Sequence, residues 1–408
     1  MITFGSGVSA ASTAAQAARE AALQAREASG DARPKLAVVF TSMSYDDASG
    51  AARVVRETLG DVTVVGGGSG ACVFGANAIE ARGVSVVLLG GDDLEVESRT
   101  ARLSSNTLVE TVPAAEEIAR AADAAARRGF TNYACLVFAP GVIVDGEVLV
   151  AAVRKGAGAR AQLAGALTGD DFVMHRPRVF SGDELRDDCA VVTGIYSRRP
   201  IGIAARHGYE AVGPARTVTR ADGAFLLELD GRPALDVWVE DARRAGADPP
   251  ADRRALALYL ANHYDLGIAD ESRSRIPLAE GARELVARAP VAIREDGAVQ
   301  LSASMAEGTR VRVIHPTASN LLRAANEAAT AAATGAGDRV AGALVLACAS
   351  RLATLGNTAF AEEAAGIRLR VAAPIGGACV YGEIARNIRD ADAFFNTTTV
   401  VVAFASEA

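Results

Sequence analysis

Lysine is nearly absent: Lys35 and Lys155 are the only two among 408 residues, so arginine supplies almost all of the 42 basic side chains. Arg- and Ala-rich codon usage produces such a bias without a functional reason. No Gly-Lys-Ser/Thr string exists, which excludes a Walker A phosphate loop. Cysteine is scarce as well. Cys72, Cys135, Cys189, Cys348 and Cys379 form no CxxC pair, are odd in number and sit in or beside apolar stretches, so they read as reduced, buried thiols. The four histidines, His175, His207, His263 and His315, are isolated and have no metal-ligand spacing. Gly-x-Ser-x-Gly and HExxH are missing, and no Ser, His and Asp stand at a spacing that supports a triad.

Long apolar runs are also lacking. The longest, at 84–89, 341–349 and 400–405, fall far short of the ~18 to 20 residues of a membrane-spanning helix, so no membrane partner is expected. The first 19 residues have neither a basic n-region nor an apolar h-region, which argues against a secretory signal and for a cytoplasmic protein. Basic residues (42) are outnumbered by acidic ones (49), and no window concentrates arginine. Nucleic acid is therefore not an expected partner, because counterion release has no source.

What is present is the composition of a soluble globular chain. Half the residues are hydrophobic, 22% are charged, and 40 Gly and 13 Pro are spread along the length. At ~150 residues per domain the chain holds two or three domains. Residues 10–28 are Ala-rich and stop at Gly30, which predicts a helix, and 35–41 reads as a strand. Asp46 and Asp47 are placed to cap a helix whose apolar positions Ala51, Val54, Val55 and Leu59 recur at helical spacing. Strand and helix patterns alternate from there to Pro200. A strand-rich stretch to about 229, helices near 233–245 and 251–261, strands turning at Asp296-Gly297, and a helix at 317–334 follow. The class is α/β, with mixed sheets layered between helices.

One pattern occurs three times: an apolar strand, a helix, and a second strand running into small residues, then a Val-aromatic-Gly-like string and a β-branched strand. The copies contain Val65-Gly66-Gly67-Gly68, Ala164-Gly165-Ala166 and Ile375-Gly376-Gly377-Ala378. The best local match is Gly-Ala-Cys-Val-Phe-Gly at 70–75 against Gly-Ala-Cys-Val-Tyr-Gly at 377–382. Duplication of pseudo-repeated modules into two related α/β halves, 30–199 and 200–408, is the organisation this predicts.

Several residues carry candidate chemistry. The loop of Gly66, Gly67, Gly68 and Ser69 follows a strand, where backbone amides can face an anion. It fails as a dinucleotide fingerprint, since no helix pattern follows it. The bland alternative is a tight turn between packed strands. Arg351 has the planar fork that clamps a carboxylate through two parallel hydrogen bonds. Glu383 is placed to accept from a ligand ammonium, with Asn396 and Thr398 adding amide and hydroxyl groups. The structural alternative is that Glu383 pairs with Arg351 or Arg386 as an internal ion pair. Cys348 reads as an inert core thiol, with a nucleophilic role as the sharper alternative.

The segment Val380-Tyr381-Gly382-Glu383-Ile384 followed by Phe394-Phe395-Asn396-Thr397-Thr398 resembles the ending of the FIST sensory domain, and Cys348-Ala349-Ser350-Arg351 resembles that family's Cys-x-x-Arg. Val218-Thr219-Arg220 with Leu229-Asp230-Gly231-Arg232-Pro233-Ala234 resembles the start of its C-terminal half, and Ala37-Val38-Val39-Phe40 with Val65-Gly66-Gly67-Gly68 its N-terminal half. The resemblance covers about 35–404 and implies an intracellular module that senses small ligands such as amino acids. Its ligand-binding set is expected to include Cys348, Arg351, Tyr381, Glu383, Asn396 and Thr398. Some family members are described as haem-binding nitric-oxide sensors. Phe395 stands where many carry His, so no haem or other cofactor is expected here, with a haem-based nitric-oxide sensor as an alternative reading. No segment reads as an output domain, so a signal is expected to pass in trans to a partner protein or through homo-oligomer assembly. The alternative from another class is an enzyme acting on a small amide or amino-acid derivative through Glu383 or Cys348.

Overall fold

The structure is a computed structural model that describes residues 1–103, 107–268, 285–337, 339–386 and 392–406. The chain runs three times through one order of elements: strand, helix, strand, helix, strand, hairpin, strand. The first module holds β1 (Thr3–Ser9), α1 (Ala14–Ser29), β2 (Pro34–Thr41), α2 (Ala51–Leu59), β3 (Thr63–Gly68), the hairpin β4 (Val73–Phe74) and β5 (Ile79–Glu80), and β6 (Val84–Gly90). The second holds β7 (Leu94–Arg102), α3 (Thr107–Ala126), β8 (Asn132–Pro140), α4 (Gly146–Ala157), β9 (Gln162–Thr168), the hairpin β10 (Val179–Ser181) and β11 (Glu184–Arg186), and β12 (Cys189–Ser197).

The third module begins with β13 (Ile201–Arg206) and is then interrupted. An inserted unit comprises β14 (Tyr209–Ala211), β15 (Arg216–Asp222), β16 (Phe225–Leu229), β17 (Arg232–Pro233), α5 (Ala234–Arg244) and α6 (Arg253–His263), followed by β18 (Asp265–Ile268), β19 (Val286–Arg288), β20 (Pro290–Ile293), β21 (Val299–Leu301) and β22 (Arg310–Pro316). The module resumes with α7 (Ala318–Ala336), β23 (Val340–Cys348), α8 (Ala349–Val371), β24 (Ile375–Val380), the hairpin β25 (Gly382–Arg386) and β26 (Asp392–Phe395), and β27 (Thr399–Ala405). The α/β class and its pseudo-repeated modules are thus present, and the modules number three. The position 199/200 falls in the connection between the second and the third.

Each module builds the same four-stranded order, β1-β6-β2-β3, β7-β12-β8-β9 and β13-β27-β23-β24, and each sheet is completed by a hairpin from another module. β10-β11 of the second module extends the first sheet, β25-β26 of the third extends the second, and β4-β5 of the first extends the third. The exchange closes a ring and covers three edges that would otherwise present unpaired backbone groups. Strand alternation sorts the core. Leu36, Val38 and Phe40 of β2 join Leu136 and Phe138 of β8 and Leu344 and Leu346 of β23 in a shared interior, where Phe40 meets Phe138 edge-on with centroids 5.6 Å apart. Residues one position away, such as Val39, Val137 and Val345, face each module's own helix pair.

Gly66, Gly165 and Gly377 occupy one equivalent site, each paired in parallel register with a valine, Val39, Val137 and Val345. A Cβ there would lie 2.1, 1.9 and 1.8 Å from the carbonyl oxygen of that valine. This corrects the register of the best sequence match. Gly377 is equivalent to Gly66, not to Gly70, and the two similar strings lie side by side as antiparallel partners, Phe74 opposite Gly377 and Val73 opposite Ala378. Their cysteines, Cys72 and Cys379, stand with sulfurs 3.2 Å apart.

Two further expectations change. Asp47 does not cap its own helix: its carboxylate accepts from the amides of Ala14 and Ala15 at 2.9 and 3.0 Å, capping α1 across the sequence. β1 is a strand that the sequence reading did not contain. Its glycines let α1 approach so closely that a Cβ on Gly7 would lie 2.1 Å from the Ala21 carbonyl.

Because Gly66 combines a φ of +118° with that close approach, Gly66→Ala is expected to lose at least about 2 kcal/mol of stability. Gly50→Ala, where a Cβ meets only the end of Arg53 at 3.9 Å, should be neutral or slightly stabilising. Urea denaturation of both variants measures the difference.

Candidate functional site

A cavity of about 580 Å³ opens where the C-terminal ends of β9, β23 and β24 face the inserted unit. Ligands in sheets with parallel strands collect outside these carboxyl ends, and the volume suits a small molecule. The core side contributes Leu167, Cys348, Ala349, Ser350, Val380, Tyr381 and Asn396, and the insertion contributes one face of α6 and the strands β20 and β21. The loop before α4 supplies Val142, Ile143, Val144 and Asp145, and a loop after β9 adds Phe172 and Met174.

Of the residues expected from sequence, Cys348, Tyr381 and Asn396 line this cavity. Asn396 is almost wholly buried, and its Oδ1 accepts from Ala289 N at 3.2 Å and from the Ser302 hydroxyl, both in the inserted unit. Its Nδ2 makes no hydrogen bond with any described residue. Ser350, which sequence reasoning did not select, donates its hydroxyl to Cys348 Sγ at 3.1 Å. Burial, and then the neighbouring Glu383 carboxyl, push the Cys348 thiol well above its ordinary range, which fits the inert-thiol reading. Tyr381 donates to Asp170 at 2.7 Å, and burial with that bond pushes its phenol up. The other oxygen of Asp170 accepts from the amides of His175 and Arg176, and the first also accepts from Met174, so one carboxylate shapes the whole loop.

Arg351 is not in the cavity. It is fully buried behind the floor, and all five of its N–H groups are taken: Glu363 accepts from Nε at 3.0 Å and from Nη2 at 2.6 Å, and the carbonyls of His207, Thr397 and Leu321 accept the rest at 2.8 to 3.0 Å. No donor remains for a ligand carboxylate. Its partner is Glu363, not Glu383 or a ligand, because Glu363 one helical stretch along α8 reaches the guanidinium bidentately. Thr397, whose carbonyl Arg351 holds, has a φ of +57°, a left-handed backbone rare for a β-branched residue. The ion pair thus fixes the strained turn that carries Asn396.

Glu383 is also sealed. One oxygen accepts from Thr398 N at 3.1 Å and the other has no partner, and burial raises its pKa well above the carboxylate range. Asp265 of β18, missed from sequence, is equally buried, and burial likewise raises it. Thr398 turns its hydroxyl to the Asn396 carbonyl at 2.8 Å, so it braces the same turn. The amides expected to face an anion are consumed: Gly68 N donates to Arg178 O, Ser69 N to Thr41 O and Gly70 N to Cys379 O, at 2.9, 2.9 and 2.6 Å. Gly66, Gly67 and Gly68 are the last residues of β3 and Ser69 follows them, all outside the cavity.

Among the described residues, polar contacts through Arg288, Asn396, Asp145 and Thr354 join the inserted unit to the core around the cavity. Buried Arg288 of β19 donates to Phe394 O at 2.7 Å and pairs with Glu147. Asn396 holds Ala289 and Ser302 as described, Asp145 accepts from Ser304 N at 2.9 Å, and Thr354 donates to Asn262 O at 2.7 Å.

The chain belongs to the FIST family. Residues 35–232 match the FIST N domain and 234–386 match the FIST C domain. FIST domains are sensory domains implicated in signal transduction. The boundary between the two matches falls at the β17 to α5 junction, inside the inserted unit. No curated protein sequence matches the chain at a significant level. Among solved structures, it is similar to a cyanuric acid hydrolase from A. caulinodans, at 10% identity over the whole of both chains with a TM-score of 0.33. A second cyanuric acid hydrolase structure is similar at 10% identity over 99% of this chain and all of that one, with a TM-score of 0.31. Nothing about activity follows from likenesses of that size.

None of the four histidines lines the cavity of this FIST chain. His207 is buried, accepts from Tyr209 N at 2.9 Å, and is driven down to about 4 by burial and by Arg351. Among the described residues no helix is long and apolar enough to cross a membrane.

Removing one partner of the buried pair leaves an uncompensated charge, so Arg351→Ala should cost about 3 to 5 kcal/mol in ligand-free protein by urea denaturation. A second expectation concerns pH. A carboxyl raised in the fold keeps its proton where the unfolded chain has released it, so its contribution is complete below the ordinary carboxyl range and is lost as pH rises toward the folded value. Asp265→Asn with Glu383→Gln should therefore flatten the fall in stability as pH rises above about 4.5. Denaturation midpoints across that range would be unchanged in slope if the two groups were ionised in the fold.

Proposed function

We propose that the chain is a non-catalytic small-ligand sensor whose ligand occupies the cavity between the three-module core and the inserted unit, and that the bound state is read by a partner protein in trans. The observation that carries this reading is Asn396. Its Oδ1 ties two points of the inserted unit to the core, and the same residue lines the cavity. A ligand that engages the amide acts on the same residue that seats the insertion. Family membership in a group of sensory domains supports it.

The amino-acid ligand that the sequence suggested rested on Arg351 and Glu383 gripping the two ends of a zwitterion. With the guanidinium saturated by Glu363 and three carbonyls, and Glu383 walled off by Thr398 and Cys348, polar anchoring falls instead to Asn396 and Ser350. Binding without turnover is favoured by the protonated Cys348 thiol, since the thiolate is the nucleophile.

Native mass spectrometry of freshly purified protein tests the proposal. A small molecule should co-purify with the wild type and be missing from Ala261→Phe, which fills the cavity from α6. Melting temperatures of the two proteins, once stripped of ligand, should agree within a few degrees, and added ligand should raise only that of the wild type. Equal retention by both proteins would place the ligand elsewhere, and turnover of a candidate amide that depends on Cys348 would replace sensing with catalysis.

A further inference from the structure

The charged lining of the cavity is one-sided. Resting on the reading of the cavity as the ligand site, we infer that its ligand is an amphipathic anion, an apolar body lying along α6 with an acidic group at Arg253 and Arg254. α6 turns two i,i+4 rows to the cavity, Arg253, Ala257 and Ala261 beside Arg254, Leu258 and Asn262. From 253 to 262 the helix rises about 13 Å, which sets the length of the trough. At one end Asn262 is tied to α8 through Thr354. At the other stand the two arginines.

Neither guanidinium has a hydrogen bond or ion pair with any described residue, whereas Arg244 on the neighbouring α5 is held by Glu240 and Asp241. Among the described residues one acidic side chain, Asp145, stands in the lining, and it is fully used: Glu147 N and Val148 N donate to one oxygen, and the amide and hydroxyl of Ser304 to the other. Among the described lining residues no carboxylate therefore compensates the arginines. The N-terminal end of α6 is capped by Asp252, which accepts from Ala255 N at 2.8 Å and is not part of the lining.

The rest of the mouth is apolar and wet. Ile143, Phe172, Met174 and Leu258 are 50%, 39%, 40% and 53% exposed, and all four line the cavity. Phe172 and Met174 are held there on left-handed backbone, with φ of +64° and +56°, Phe172 N donating to Gly70 O at 3.0 Å and Met174 N to Asp170 Oδ1 at 2.8 Å. An apolar body covers these side chains, and an acidic group meets the arginines. A free amino acid would leave the walls bare, and a cationic amphiphile would be repelled at the entrance.

Two dyes of similar shape separate the charge from the body: anionic anilinonaphthalene sulfonate and uncharged phenylnaphthylamine, titrated by fluorescence into the full chain. The wild type should bind both, the sulfonate should be displaced by decanoate but not by decyltrimethylammonium, and raised salt should weaken the sulfonate alone. In the Arg253→Gln, Arg254→Gln double variant the sulfonate should weaken at least about 10-fold while the neutral dye stays within about twofold. Wild-type affinity for the sulfonate in that variant would overturn the assignment of ligand class and leave the cavity reading standing. If neither dye binds the wild type, or if Ala261→Phe binds both unchanged, the cavity reading itself fails.

Discussion

The strands β3, β9 and β24 each end a module's own sheet with an edge that the module cannot pair, and each is covered by a hairpin from another module. No module can close its sheet alone, so the three are bound into one ring and their inner faces into one core. The equivalent glycines Gly66, Gly165 and Gly377 belong to the same constraint, because the third strand must press against its parallel neighbour more closely than a side chain permits. The Ala- and Gly-rich composition follows: helices such as α1 and α7 settle onto first strands whose glycines leave the backbone bare, as Gly202 does beneath Ala332.

The third module is where this regular scheme is broken by the insertion, and the break is where the cavity lies. The seam is polar and pinned at separate points, through Arg288, Asn396, Asp145 and Thr354, while the space between them is walled mostly by apolar side chains. The Arg351–Glu363 pair stands behind this seam and supports the Asn396 to Thr398 turn without entering it. Its role is to hold a strained backbone in place, so that the amide of Asn396 is presented from a rigid floor.

Much of the fold was legible because it rests on local signals. Local sequence pattern located α2, α5, α6 and α7, and the triple pattern of strands and small residues revealed the module. β1 escaped notice because Gly5 and Gly7 dilute its apolar alternation, and the register of the repeats was misjudged because the most similar strings are neighbours across an exchanged hairpin rather than equivalents. For the site, the motif around Cys348 and the stretch from Tyr381 to Asn396 led to its floor. What they did not reveal is which side of the floor each residue occupies: Arg351 and Glu383 differ from Asn396 only in tertiary placement. Arg253 and Arg254 carried no signal at all, since a pair of arginines at a helix start reads as solvated surface until the cavity beside it is seen.

The central claim is that ligand occupies the seam between the three-module core and the inserted unit. Hydrogen–deuterium exchange of the full chain, with and without saturating anilinonaphthalene sulfonate, tests it most directly. The account predicts slower exchange in α6, in β20 and β21, and at the start of α8, with the helix pairs α1–α2 and α3–α4 unchanged. Protection confined to those outer helices or to the 66–70 segment, with the seam unaffected, would contradict it.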